Sequence, residues 1–301
     1  MSCNGPGVGM RGVGLVCALL GFTAAQAQDG AALAARHAGL RPVLNSNAFQ
    51  RPLYIESHEG AGDLQGHVYA RVAQPFGVAA LALQGAAQWC DILILHLNVK
   101  RCSAGVAATG DTLSINIGRK FDQPLADAYR FEFRHEVVQS QPGYLRVVLG
   151  AAAGPLGTSR YRIVLEMVPL DPGNSFLHLS YAYSQGTAAR WAAQVYLSTL
   201  GRAKVGFSVV GRRADDQPVY IGGARGVIER NAMRFFLAIE AYLGALSSPP
   251  ARQSERRLND WFTAVERYPV QLHELERDDY LRMKRIEIQR QQALAAVSGT
   301  P

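Results

Sequence analysis

The sequence predicts an α+β fold: a run of antiparallel strands followed by a long apolar helix near the C-terminus. Between Thr112 and Tyr183, segment after segment alternates apolar and polar residues, and the connections are short enough to favour antiparallel hairpins. From Gly226 the period changes: Ile228, Ala232, Phe235, Ile239, Tyr242 and Leu246 fall at steps of three and four, the stripe of a packed helix. Of 301 residues, 48% are hydrophobic and 18% charged, enough to bury a core and too apolar for general disorder.

The elements follow in order. Arg11 precedes the apolar run Gly12 to Phe22, and Ala25-Gln26-Ala27 fits the small-x-small rule of signal peptidase. Residues 1–27 are therefore expected to be a signal peptide cleaved after Ala27, and the mature protein to be periplasmic or secreted. Residues 28–61 form an N-terminal extension, with a helix over Ala31 to His37, a loop around Pro42 and a short strand at Leu53 to Ile55. Gly60 to Asp63 is a turn. Leu64, Gly66, Val68, Ala70 and Val72 then share one strand face, and Gln65, His67, Tyr69 and Arg71 the other. A helix runs from Pro75 to about Asp91, and Ile92 to Lys100 has strand character.

Strands are expected at Thr112 to Ile117, Tyr129 to Val138, Tyr144 to Leu149, Tyr161 to Val168 and Phe176 to Tyr183. A helix at Ala188 to Leu200 and short strands at Val205 to Val210 and Val219 to Ile221 precede the long helix. Ser247-Ser248-Pro249-Pro250 breaks the chain, and residues 247–301 form a charged helical tail split by Pro269.

The formal charge is +7 and the basic residues are spread along the chain, which offers no nucleic-acid arm. Removal of the signal leaves Cys90 and Cys102; in an oxidising compartment they suggest one disulfide, with two separate buried thiols as the alternative. No HExxH occurs, and His135-Glu136 are adjacent on a strand and point to opposite faces, so no metal site is read; His58, His67, His96 and His178 are the histidines that a sheet could bring together. Gly206 to Gly211 misses the GxSxG spacing, and no phosphate loop is present. Gly222-Gly223-Ala224-Arg225-Gly226 reads as a turn that lets the helix pack, or as an anion-binding nest. No catalytic residue and no cofactor is assigned.

The order strand, helix, antiparallel strands, long C-terminal helix over residues 62–246 resembles the START-like superfamily, whose helix-grip fold wraps a curved antiparallel sheet around the last helix. The segment Trp89-Cys90-Asp91 to Cys102 and the tail with Glu266-Arg267-Tyr268-Pro269 are similar to uncharacterised exported proteobacterial proteins of this type. The resemblance implies a hydrophobic cavity between sheet and helix. Phe235, Ile239 and Tyr242 would line it from the helix, and Tyr69, His96, Tyr181 and Tyr183 (with His67 a further candidate) from strands that face inward. The implied function is an exported protein that shelters a hydrophobic small molecule, a lipid above all. The alternatives are a cyclase- or hydratase-type enzyme with a cavity acid or base, His96 or Glu132, and an interaction module whose residues 250–301 dock on a membrane surface or a protein.

Overall fold

The computed structural model describes the backbone of residues 17–187 and 204–298, and the side chains of 29–187 and 204–294. The expected helix over Ala188 to Leu200 lies outside the described residues.

Ten strands and seven α-helices are described: α1 (Cys17–Asn45), β1 (Leu53–Glu59), β2 (Asp63–Val72), α2 (Phe76–Ala82), α3 (Ala86–Leu93), β3 (Val99–Ala107), β4 (Gly110–Ile117), β5 (Tyr129–Gln141), β6 (Tyr144–Ala153), β7 (Thr158–Asp171), β8 (Asn174–Gln185), β9 (Val209–Arg212), β10 (Pro218–Tyr220), α4 (Gly223–Ala245), α5 (Pro250–Val265), α6 (Pro269–Leu272) and α7 (Arg277–Ser298). Eight strands form one antiparallel sheet in the order β1-β2-β8-β7-β6-β5-β4-β3. β3 to β8 is thus an unbroken meander, and the β1–β2 hairpin adds to its far side through β8. α2 and α3 carry the chain across from β2 to β3. The curved sheet grips α4, as the helix-grip expectation requires.

The close fit of α4 depends on Gly66. A Cβ there would lie 3.1 Å from the Ile228 carbonyl oxygen and 3.2 Å from the Ala232 methyl, so any side chain would push α4 off β2 by a few tenths of an ångström. The inner face of the sheet, α3, α4, α5 and α7 share one continuous core. α1 covers part of the outer face, where Leu33, Leu40 and Leu44 bury Tyr69, Tyr144 and Phe176. Among the described residues no single helix is long and apolar enough to cross a membrane.

Three local expectations are corrected. The loop at Pro42 is helical, because α1 runs on to Asn45 to keep Leu40 and Leu44 on the sheet. The helix from Pro75 breaks at Gly85 into α2 and α3, at 90° to each other. The corner is held by Trp89, whose indole N–H donates to the Leu83 carbonyl at 2.8 Å. Ile92 to Lys100 is not one strand: α3 continues to Leu93, turns follow, and β3 begins only at Val99. The apparent alternation there misleads, because His96 and Lys100 are as buried as Leu95 and Leu97.

The tail packs back on the molecule. Trp261 and Tyr280 are buried and stack at 4.9 Å. The Trp261 indole donates to the Arg234 carbonyl at 3.1 Å, and the Tyr280 hydroxyl to the Leu95 carbonyl at 3.0 Å. Cys90 and Cys102 are joined by a disulfide that ties α3 to β3.

Candidate functional site

The seven residues expected to line one cavity separate into three groups. His96, Tyr181, Tyr183 and Phe235 do come together. β8 turns Leu177, Leu179, Tyr181 and Tyr183 toward α4, and α4 answers with Phe235, 5.2 Å from the Tyr181 ring and 4.9 Å from the His96 ring. Tyr161 of β7 stacks on Tyr183 at 5.3 Å, and Phe131 and Phe133 of β5 complete the cluster. Burial, then the nearby Arg234, Lys284 and Lys120 charges, hold the His96 imidazole neutral well below its usual range. Ile239 and Tyr242 lie further along α4 in packed core, with the Arg257 guanidinium 4.4 Å above the Tyr242 ring. Tyr69 is a correction: strand alternation puts it on the outer face, under α1, away from α4.

Most of the expected space between sheet and α4 is filled by these aromatic side chains. A cavity of about 290 Å³ remains beside them, lined in part by Tyr183, Gln185, Asn231 and Arg234.

A larger cleft lies at the edge of the sheet. It measures about 1260 Å³, and Tyr54 to Glu59 of β1 form its floor. Phe49, Gln50 and Arg51 make one wall, Phe207, Ser208, Val209 and Tyr220 the other, and Tyr268 to Gln271 close one end. Three rings from distant parts of the chain meet at its base: Phe49 to Phe207 at 5.7 Å, Phe49 to Tyr268 at 5.9 Å, and Phe207 to Tyr268 at 5.5 Å. Buried Glu229 of α4 anchors the second wall. Its carboxylate accepts from the Ser57 hydroxyl at 2.6 Å, the Ser208 hydroxyl at 2.7 Å, and the backbone N–H groups of Phe207 at 2.6 Å and Ser208 at 2.9 Å. Gly206 permits this approach, since a Cβ would sit 2.6 Å from a Glu229 oxygen. Arg51, ion-paired to Glu240, joins Arg225 and Arg267 as the cations of the cleft. None of the seven expected residues lines it. Its residues come from four separated segments, and the one local signal was the Arg267-Tyr268-Pro269 stretch of the tail.

The outer face carries a polar row. The His67 Nδ1 and His178 Nε2 atoms are 3.1 Å apart, the His178 Nδ1 atom is 2.8 Å from Glu166, and the Tyr144 hydroxyl donates to Glu166 at 2.5 Å. His58 stands next to His67, with ring centroids 5.8 Å apart, whereas His96 is elsewhere. Burial and the neighbouring His178 draw His67 down to about 4. Among the described residues no group of three or more His, Cys, Asp or Glu is placed to hold a metal ion. Glu132 is exposed beside Arg130, away from every described cavity.

No family model matches the chain, and no curated protein does. Solved structures do. Human StAR-related lipid transfer protein 5 is 14% identical and covers 58% of this chain and 89% of its own, with a TM-score of 0.31. Norcoclaurine synthase from Thalictrum flavum is 14% identical over 48% of this chain and 87% of its own, with a TM-score of 0.33. A START superfamily protein from Mycobacterium smegmatis is 12% identical over 46% and 92%, with a TM-score of 0.30. The likeness is one of chain layout, and the fold itself rests on the strand order and register given above.

Proposed function

We propose that the protein is an exported binding protein that shelters a largely apolar, lipid-sized molecule, and that the molecule lies in the cleft along β1. One observation carries this reading: a cleft of about 1260 Å³ that combines aromatic walls with three arginines. Ligand pockets usually measure about 300–1,000 Å³ and pair apolar walls with a few polar groups; this cleft exceeds that range in volume and meets the second condition. The rim is apolar as well, with Val209 and Val270 each at least half exposed. This moves the ligand from the centre of the grip to the sheet edge, because the centre is filled by side chains. Export fits the packing, since Leu33, Leu40 and Leu44 lie beyond the expected cut and keep α1 docked after cleavage.

The test is native mass spectrometry of protein released gently from the periplasm, followed by solvent extraction. A stoichiometric lipid-sized adduct, lost in V209E and V270E, is expected. A clean apo mass that persists after incubation with total membrane lipids overturns the reading, as does an adduct unchanged in both variants. N-terminal sequencing of the same material is expected to begin at Gln28; an uncleaved cytoplasmic protein overturns export.

A further inference from the structure

The chain has four lysines among 31 basic residues: Lys100, Lys120, Lys204 and Lys284. None is a free surface charge. Lys100 and Lys284 are buried on Glu287. Lys120 and Lys204 both reach Glu274, the first at 2.5 Å, and Arg234 reaches the same carboxylate at 3.1 Å. The two clusters differ in charge balance and in what borders them. The Glu287 cluster is sealed: its side chains are at most 1% exposed, and Lys284 also donates to the His96 and Val99 carbonyls. The Glu274 cluster opens into a cavity.

That cavity, about 290 Å³, is lined by Lys120, Lys204, Arg230 and Arg234 and by no acidic residue. Three cations converge on one carboxylate. Residues 1–28, 188–203 and 295–301 contain no Asp or Glu, so every carboxylate side chain of the protein is among the described ones. In the described residues Glu274 is the one carboxylate ion-paired to Lys120, Lys204 or Arg234. Arg234 is 2% exposed, and its Nε has no hydrogen-bond partner among the described residues, a costly state for a buried donor. The remaining lining supplies neutral donors, the Tyr183 hydroxyl and the Gln185 and Asn231 amides, with Ala224 and Val227 as an apolar side. Lys120 and Lys204 are each about a third exposed, which leaves an entry.

We infer that this cavity is an oxyanion site, built to take the carboxylate or phosphate of a small organic molecule between Lys120, Lys204 and Arg234. The volume is at the low end for ligand pockets and suits a small anion better than a lipid. A bound oxyanion accepts from the lysine ammonium groups and from the Arg234 guanidinium, and it balances charge that Glu274 leaves over. Burial, only partly offset by Glu274, draws the Lys120 ammonium down to about 8, and an anion in the cavity would raise it again. The site shares no lining residue with the cleft along β1 and does not depend on it.

The test is thermal unfolding of the full chain at fixed ionic strength with inorganic phosphate, acetate or octanoate, against chloride. Phosphate or acetate is expected to raise Tm by roughly 5 °C at about 100 times Kd. A response to octanoate alone would also support the site and identify the anion as the head of an amphipathic molecule. K120Q/K204Q is expected to weaken binding by about tenfold or more, whereas R267Q, in the cleft, leaves it unchanged. An equal response to chloride, or a response that K120Q/K204Q retains or R267Q removes, overturns the inference. Should the double variant fail to fold, anomalous scattering from selenate-soaked crystals of the unaltered protein decides. Selenate between Lys120, Lys204 and Arg234 supports the site, and an empty cavity overturns it.

Discussion

Glu229 has no exposed surface, yet it accepts four hydrogen bonds, two of them from backbone N–H groups that have no side chain to mutate. Removing the acceptor therefore strands buried donors, which costs more than the net value of the bonds. E229L is expected to destabilise the protein by about 3–5 kcal/mol in urea denaturation, with E229Q intermediate because its amide nitrogen cannot accept. An E229L loss below about 1 kcal/mol would show that the carboxylate is dispensable. Glu274 makes a pH prediction. Burial raises its pKa, but hydrogen bonds from Lys120 and Lys204 and the Arg234 charge more than offset this and hold it at about 2, against an ordinary 4.5. A carboxylate depressed in the folded state contributes stability that is present above the unfolded value and lost as pH falls toward the folded one. Stability should thus decline between about pH 4.5 and 2, and E274Q should flatten that decline; an unchanged profile in E274Q rejects the assignment.

At the scale of elements, the α4–β2 contact has no slack. G66A places a methyl 3.1 Å from backbone and is expected to cost about 1–3 kcal/mol, G66V more, read as a lower midpoint in urea. An unchanged midpoint would mean that α4 can lift from the sheet without cost. The disulfide closes a loop of sequence separation 12, so C90S/C102S should cost about 3 kcal/mol, and dithiothreitol should lower the Tm of the unaltered chain but not of the variant. These elements also show where sequence reading succeeds. β2 was legible because one face is buried and the other partly wet, so its alternation is clean. β5 to β8 were legible for the same reason, and their short turns fix antiparallel order. Ile92 to Lys100 was not, because helices on both sides leave it no solvent face and the pattern carries no period. The cleft was illegible for another reason: Phe49, Phe207 and Tyr268 are far apart in sequence, and each alone looks like ordinary core. Two of the Glu274 cations lie in weakly patterned loop, which hides that cluster as well.

In the described residues the sheet is covered on its inner face, on part of its outer face and along one edge. α1 takes that part of the outer face and α4 the inner, while α7 seals the β3 edge: Gln291 accepts from the Cys102 N–H at 2.8 Å, and Glu287 joins Lys100 of β3 to Lys284 of α7. The β1 edge is the one that lines the large cleft. The C-terminal tail is thus structural, although its composition reads as a solvated appendage. The disguise comes from charge pairing. Arg285 meets Glu255, and Arg257 meets Asp91, so much of the charge serves to join helices while Trp261, Tyr280, Leu281 and Met283 turn inward. Loss of α7 would expose Trp261 and Phe262, which pack on Tyr280, and leave the buried Lys100 ammonium without Glu287, the state in which a buried charge costs most. Truncation after Glu276 is therefore expected to give insoluble protein. E287L in the full chain should be folded but destabilised by about 3–5 kcal/mol, and E287L with both lysines replaced by methionine should recover most of that loss. A truncated chain that stays monodisperse, with unchanged circular dichroism, would show that α7 is an appendage after all and would return residues 277–301 to the role of a docking arm.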